Sequence, residues 1–184
     1  MLSAESGETL LQIARRTVEA VVRRERVPEF AVDDPELAGA QGAFVTLKTD
    51  GRLRGCIGCF TAEEPLWQVV QQKAIDSATR DPRFLGTPIR PEDLPRLEIE
   101  VSVLSPLKPV QDPMNDIVLG THGIYVTDGR RSGCFLPQVA TETGWDKLEF
   151  LRHCCAGKAG LPPDAWRDPH VQVSVFTAEV ISEQ

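Results

Sequence analysis

Between Glu8 and Arg24 the apolar residues recur at three- and four-residue steps. Leu10, Leu11, Ala14, Val18, Val21 and Val22 form one stripe, which predicts an amphipathic helix. Ser6 stands at the expected N-cap. Pro28 and Pro35 end the pattern and open a loop. Gly42–Lys48 reads as a strand and Asp50-Gly51 as a hairpin turn, because glycine takes positive φ at no steric cost. Arg52–Phe60 reads as the returning strand. It holds Gly55 and Gly58, and a glycine inside a strand marks a bulge or a place where another group comes close to the backbone. Thr61–Glu64 has the form of a capping box, with Pro65 in the first turn of a second helix. Leu66, Val69, Val70, Ala74 and Ala78 supply that helix's apolar face, and Asp81-Pro82 stops it.

Leu97–Leu104 alternates cleanly, with Leu97, Ile99, Val101 and Val103 on one side and Glu98, Glu100 and Ser102 on the other. Ile117–Leu119 and Gly123–Val126 read as short strands around Gly120-Thr121-His122. Asp128-Gly129 is a second turn, and Cys134–Leu136 returns from it. Gln138–Thr143 and Asp146–Ala156 read as helices, the latter capped by Asp146 and stopped by Gly157. Val171, Val173, Val175 and Thr177 alternate in a last strand that ends near Ile181. These elements follow no regular βαβ rhythm. The expected fold is therefore α+β, a mainly antiparallel sheet packed with helices. The chain's 184 residues predict a single domain, 1–184, with two lobes sharing one core as the alternative.

Apolar residues at 41% and charged residues at 26% exclude a disordered chain. No run approaches the ~18 apolar residues of a membrane span. Met1–Glu5 lacks a basic segment followed by an apolar one, so the expected location is cytoplasmic, with no membrane role. Twenty Lys+Arg against 27 Asp+Glu give a net charge of −7, which argues against nucleic acid as a partner. Arg15, Arg16, Arg23, Arg24 and Arg26 lie close together but are diluted by Glu19 and Glu25; they read as a solvated helix face. The five cysteines are odd in number, which argues against a disulfide framework.

The segment Arg54-Gly55-Cys56-Ile57-Gly58-Cys59 carries the most chemistry. A thiol between two glycines lets a ligand approach sulfur and peptide groups together. Arg54, on the same face as Cys56 by alternation, supplies a cation that can hold an anion or lower the thiol pKa. The bland alternative makes Cys56 a small packing residue, with the glycines permitting a bulge. Cys56 and Cys59 form half of a zinc site. His153, Cys154 and Cys155 do not have the spacing of a second half, so no metal is expected. The CxxC pair also lacks the βαβ placement of a redox motif. His122, in a flexible turn, is the histidine best suited to assist a thiol, and a plain turn histidine is its alternative. Gln138, Glu142 and Trp145 form a short polar and aromatic group. There is no phosphate-binding glycine loop, no GxSxG elbow and no HExxH motif.

Leu53-Arg54-Gly55-Cys56-Ile57-Gly58 resembles the signature of the AMMECR domain family, whose bacterial and archaeal members are called AmmeMemoRadiSam system protein A. The likeness continues through Asp81–Phe84, Ile99–Leu104, Gly120–Gly123, Leu136–Glu142, Gly144–Asp146 and Lys158–Pro162. It covers the chain from about Leu10 to Glu179. It implies an α+β fold with a larger lobe around an antiparallel sheet and a smaller lobe beside it. The family's motif cysteine maps to Cys56, while Cys59 stands where relatives usually carry a small or hydroxyl residue. The family is largely of unknown biochemical function. Its name reflects a Memo-like protein and a radical S-adenosylmethionine enzyme encoded nearby or fused, which the resemblance makes expected partners. The implied role is an accessory or ligand-binding protein that holds a small-molecule or macromolecular substrate in a cleft around Arg54–Gly58. Arg54, Gly55, Ile57, Gly58, Asp81, Arg83 and Gln138 would bind, and no cofactor is called for. The alternative is a thiol-dependent enzyme with Cys56 as nucleophile and His122 or Glu142 assisting.

Overall fold

The computed structural model describes residues 1–183. The chain divides into two compact units: Met1–Leu104 with the residues from Glu179 onward, and Ser105–Ala178. The fold is α+β.

The first unit opens with helix α1 (Ala4–Val22), which buries Leu10, Leu11, Ala14 and Val18. Its cap is Ser3, whose Oγ accepts the Ser6 N–H at 3.1 Å. Ser6 lies one turn inside, buried, and its hydroxyl contacts the Asp34 and Glu36 carboxylates at 2.7 Å each. The cap therefore stands earlier than the residue type at Ser6 suggested, because tertiary partners claim Ser6. Strands β1 (Ala43–Thr49) and β2 (Arg52–Cys59) pair antiparallel around Asp50-Gly51, both at positive φ. Helix α2 (Leu66–Thr79) starts without a side-chain cap. The capping box at Thr61–Glu64 does not form. The first N–H groups of α2 go instead to backbone, Leu66 N–H to Gly39 O at 2.9 Å and Val69 N–H to Pro65 O at 3.1 Å. Strand β3 (Leu97–Leu104) pairs with β1 and buries Leu97, Ile99, Val101 and Val103, as its alternation predicts. Helices α1 and α2 pack on this sheet, and the core forms from Leu10, Val18, Val45, Leu47, Val70 and Ile99, among others.

The second unit holds β4 (Lys108–Pro109), α3 (Pro113–Asp116), β5 (Gly123–Thr127), β6 (Ser132–Phe135), α4 (Pro137–Thr143), α5 (Lys147–His153) and β7 (Gln172–Phe176). Its sheet runs β4-β7-β5-β6 around a separate core that includes Ile117, Ile124, Val126, Phe150 and Leu151. Residues 117–119 are not a strand. Asp112 caps α3, Ile117 closes it, and Val118 O accepts the Thr121 and His122 N–H groups in a turn. Asp146 and Glu149 form the capping box of α5. The helix runs on through a wider π turn, Cys154–Ala159, and stops at Gly160 (φ 65), not at Gly157.

The alternating C-terminal run is two strands, not one. It breaks at Thr177 into β7, beside β5, and β8 (Ala178–Ser182), which completes the first unit's sheet in the order β2-β1-β3-β8. The two halves have different ladder neighbours, and the burial differs with them: Val173 and Val175 are buried whereas Val180 is exposed. No described helix is long and apolar enough to cross a membrane.

Candidate functional site

Strand β2 lies at the edge of its sheet. Its register against β1 shifts between Leu47 and Lys48: Leu47 faces Gly55 and Lys48 faces Leu53, which leaves Arg54 bulged. The bulge breaks the alternation that would place Arg54 beside Cys56. The Arg54 guanidinium instead donates to Thr49 Oγ1 (3.3 Å), to the carbonyls of Thr87 (3.4 Å) and Pro88 (3.3 Å), and to Asp93 (3.4 Å).

The two glycines of β2 are approached closely by the chain's own atoms. A Cβ at Gly55 would lie 2.0 Å from the Ser77 carbonyl oxygen in the last turn of α2. A Cβ at Gly58 would lie 2.4 Å from Ala43 O and 2.3 Å from Cγ of the Phe44 ring. Glycine at 55 therefore lets α2 settle onto the strand. The buried Ser77 hydroxyl then enters the ladder. It accepts the Ile57 N–H at 2.9 Å and donates to Val45 O at 2.8 Å, bridging residues that face each other across β1 and β2.

The segment after α2 clamps the outer edge of β2. Asp81, only 2% exposed, accepts the Cys56 N–H at 2.9 Å. It also accepts from the Arg83 N–H (3.1 Å), Nε (2.9 Å) and a terminal guanidinium nitrogen (2.7 Å). Arg83 in turn donates to Cys56 O at 3.2 Å. Asp81 and Arg83 thus satisfy both backbone groups of Cys56, as a neighbouring strand would, and blunt the sheet edge there. The Arg83 guanidinium, with the Cys56 and Arg83 N–H groups, holds the Asp81 carboxyl at about 2 against the opposing effect of burial; Asp81 pushes Arg83 up in return.

The half-buried Cys56 thiol has one hydrogen-bond donor among the described residues, the Thr46 hydroxyl at 3.3 Å on the facing strand. Cys59, also half-buried, borders a groove of about 840 Å³ with Trp67 and Phe30. Among the described residues no three His, Cys, Asp or Glu side chains converge to hold a metal ion.

A cavity of about 600 Å³ opens where α1 and α2 end. Arg54, Ser77 and Asp81 line it. Arg23, Arg24 and Arg90 add cations, and Val21, Phe84, Leu85 and Ile89 add apolar surface.

The structure thus gathers Arg54, Gly55, Cys56, Ile57, Gly58, Asp81 and Arg83 in the first unit. His122, Gln138 and Glu142 belong to the second. His122 Nδ1 accepts the Val118 N–H at 3.1 Å. Gln138 is half-buried and Glu142 exposed, one turn apart on α4. Trp145 stacks on His153 with ring centroids 4.1 Å apart and packs against Phe135. Ser77 and Thr46 were not singled out from the sequence. Ser77 continues the stripe Leu66, Val70, Ala74, and a hydroxyl on an apolar stripe was the available signal. Thr46 carried none, because the bulge resets its partner.

A family model described as AMMECR1 matches residues 11–181. A Thermococcus gammatolerans protein is 45% identical over 98% of this chain and 91% of its own length, and a Methanopyrus kandleri protein is 42% identical over 100% and 91%. The crystal structure of an uncharacterized Pyrococcus horikoshii protein superposes with a TM-score of 0.90 at 41% identity, covering 100% of this chain and 94% of that one. The cysteine strand clamped by Asp81 and Arg83 lies within the matched span, and the chain belongs to the AMMECR1 family.

Proposed function

We propose that the chain is a ligand-binding accessory protein of a Memo-like and radical S-adenosylmethionine modification system. It holds a small substrate or a macromolecular segment at the Arg54–Gly58 strand and the cavity beside it. One observation carries this reading. Arg54, Ser77 and Asp81 line a cavity of about 600 Å³ that Cys56 does not line, and the Cys56 sulfur meets a Thr46 hydroxyl rather than an acid or base. A nucleophilic cysteine needs a base or a strongly stabilised thiolate. Asp81 and Arg83, the charged residues nearest Cys56 in the strand clamp, are bound to its backbone and to each other. The Arg83 charge beside Cys56 favours the thiol-enzyme alternative, and the test below separates the two. The cytoplasm is the proposed compartment, supported by free thiols at Cys56, Cys59, Cys154 and Cys155.

The test is co-purification with the Memo-like and radical S-adenosylmethionine proteins of the same genome, followed by assay of the assembled system. Cys56→Ser is expected to keep assembly and activity. Leu85→Asp, at an exposed position on the cavity, is expected to keep the fold and lose system activity. Loss of activity in Cys56→Ser with assembly intact would install the thiol enzyme instead.

A further inference from the structure

The cavity where α1 and α2 end has an electrostatic character that runs against the rest of the molecule. The chain carries a net charge of −7, yet Arg23, Arg24, Arg54 and Arg90 line this one cavity and Asp81 is its acidic residue. Asp81 is neutralised by Arg83 at 2.7 Å, and Arg54 is matched by Asp93 at 3.4 Å. Three cations remain. Arg23 and Arg90 have only loose, solvent-exposed acid neighbours, Glu19 at 3.8 Å and Glu92 at 3.9 Å. Pairs of that kind contribute little and leave the guanidinium free to turn. The Arg24 backbone N–H donates to Val21 O at 3.1 Å, and its guanidinium has no hydrogen-bond or ionic partner among the described residues. Of the five arginines clustered near α1, Arg15 binds Glu183, Arg16 lies over Phe30, Arg23 approaches Glu19 and Arg26 binds Glu29.

Arg24 also occupies a position where glycine is the ordinary choice. It follows the C-cap of α1 with φ 59, in the left-handed region. The helix dipole accounts for a cation at that end. It does not account for Arg90, which comes from a separate loop, or for the apolar surface of Val21, Val22, Phe84, Pro88 and Ile89 beneath these charges. Leu85, 61% exposed, adds an apolar side chain at the same place. A volume of about 600 Å³ falls in the range of small-molecule pockets.

We infer that this cavity takes a small organic anion. A carboxylate or phosphate meets Arg24 and Arg90, and an apolar body rests on Val21, Phe84 and Ile89. The inference deepens the ligand-binding reading above and rests on it, adding the chemical class of the ligand.

The experiment follows backbone amide shifts of the full chain during titration with phenyl phosphate, benzoate and uncharged benzyl alcohol. Both anions are expected to shift residues such as Thr79 and Ile89 and to bind about tenfold more tightly than benzyl alcohol, the scale of one charge-assisted hydrogen bond. Arg24→Gly removes the charge and relieves the positive φ, so the fold is kept; anion affinity is expected to fall about tenfold, and Arg90→Gln to act likewise. Equal binding of benzyl alcohol overturns the anion class while leaving a ligand cavity. Anion shifts scattered over the surface and unchanged in Arg24→Gly, or no response at the cavity from any probe, overturn the inference. The accessory reading is then judged separately by the Cys56→Ser and Leu85→Asp assembly test.

Discussion

Each unit contains a hairpin built from the same ingredients. One turns at Asp50-Gly51 and returns through Gly55-Cys56; the other turns at Asp128-Gly129 and returns through Gly133-Cys134. In both, helical backbone presses on the glycine. A Cβ at Gly55 would sit 2.0 Å from Ser77 O, and one at Gly133 would sit 2.4 Å from Ala159 N. From there they diverge. Strand β6 keeps a regular register against β5, and the turn of helix on Gly133 buries Cys154 and Cys155, whose thiols burial pushes up. Strand β2 is opened instead. It has a bulge at Arg54, a Ser77 hydroxyl inside the ladder and an Asp81–Arg83 clamp outside it. Asp128 and Asp81 are both held at about 2, by unlike means. Asp128 is a half-buried turn residue bonded first to the nearby Arg131 and Arg130 N–H groups. Asp81 is buried and ties Arg83 to a strand 25 residues away. The same ingredients therefore make a closed packing contact in one unit and, in the other, an opened strand edge beside a cavity.

Substitutions that restore or remove these features test the contrast, the strongest at the glycines. Gly55→Ala should cost about 3 kcal/mol and Gly133→Ala about 2 kcal/mol, since helical backbone must move in both. Urea unfolding measures this, and a Gly55→Ala protein as stable as the parent would break the parallel. Asp81→Asn comes next, at about 2 kcal/mol at neutral pH. The folded-state carboxyl lies below its unfolded value of 3.8, so its stabilisation is present above about pH 4 and fades as pH falls toward 2. Unfolding midpoints of parent and Asp81→Asn should therefore converge toward pH 2. Ser77→Ala strips the bridge between Ile57 N–H and Val45 O and should cost about 1–2 kcal/mol, with faster amide exchange at Ile57. The smallest effect is on stability, which should stay unchanged when iodoacetamide modifies the folded protein. Cys56 and Cys59 should react at least about tenfold faster than the buried Cys154 and Cys155. Equal rates would erase the distinction between the opened and closed regions.

The candidate site was partly legible in the chain. Arg54, Gly55, Cys56 and Gly58 stood out by composition, and Asp81 and Arg83 entered through the family resemblance. Ser77 and Thr46 escaped. Counting back from the Asp50-Gly51 turn without a bulge pairs Thr46 with Gly55; the shift between Leu47 and Lys48 moves it to Cys56 and brings the hydroxyl to the sulfur. The close approach anticipated at Gly55 is real, but Ser77 of the protein itself makes it.

Local chemistry alone settled the two Asp-Gly turns, the apolar stripes of α1 and α2, and the inward face of Leu97–Val103. Steric limits on φ and the periods of helix and strand act within a few residues. Tertiary structure decided everything that depended on which group was available as a partner. Ser6 gave up the cap because Asp34 and Glu36 reach it. One alternating run became β7 and β8 because different strands flank its two halves. Asp81 became an edge clamp because collapse placed a carboxylate beside an N–H that water had served before. Hydrogen bonds and ion pairs at long sequence separation gain their value only when folding removes the competing water, so their partners cannot be read from spacing.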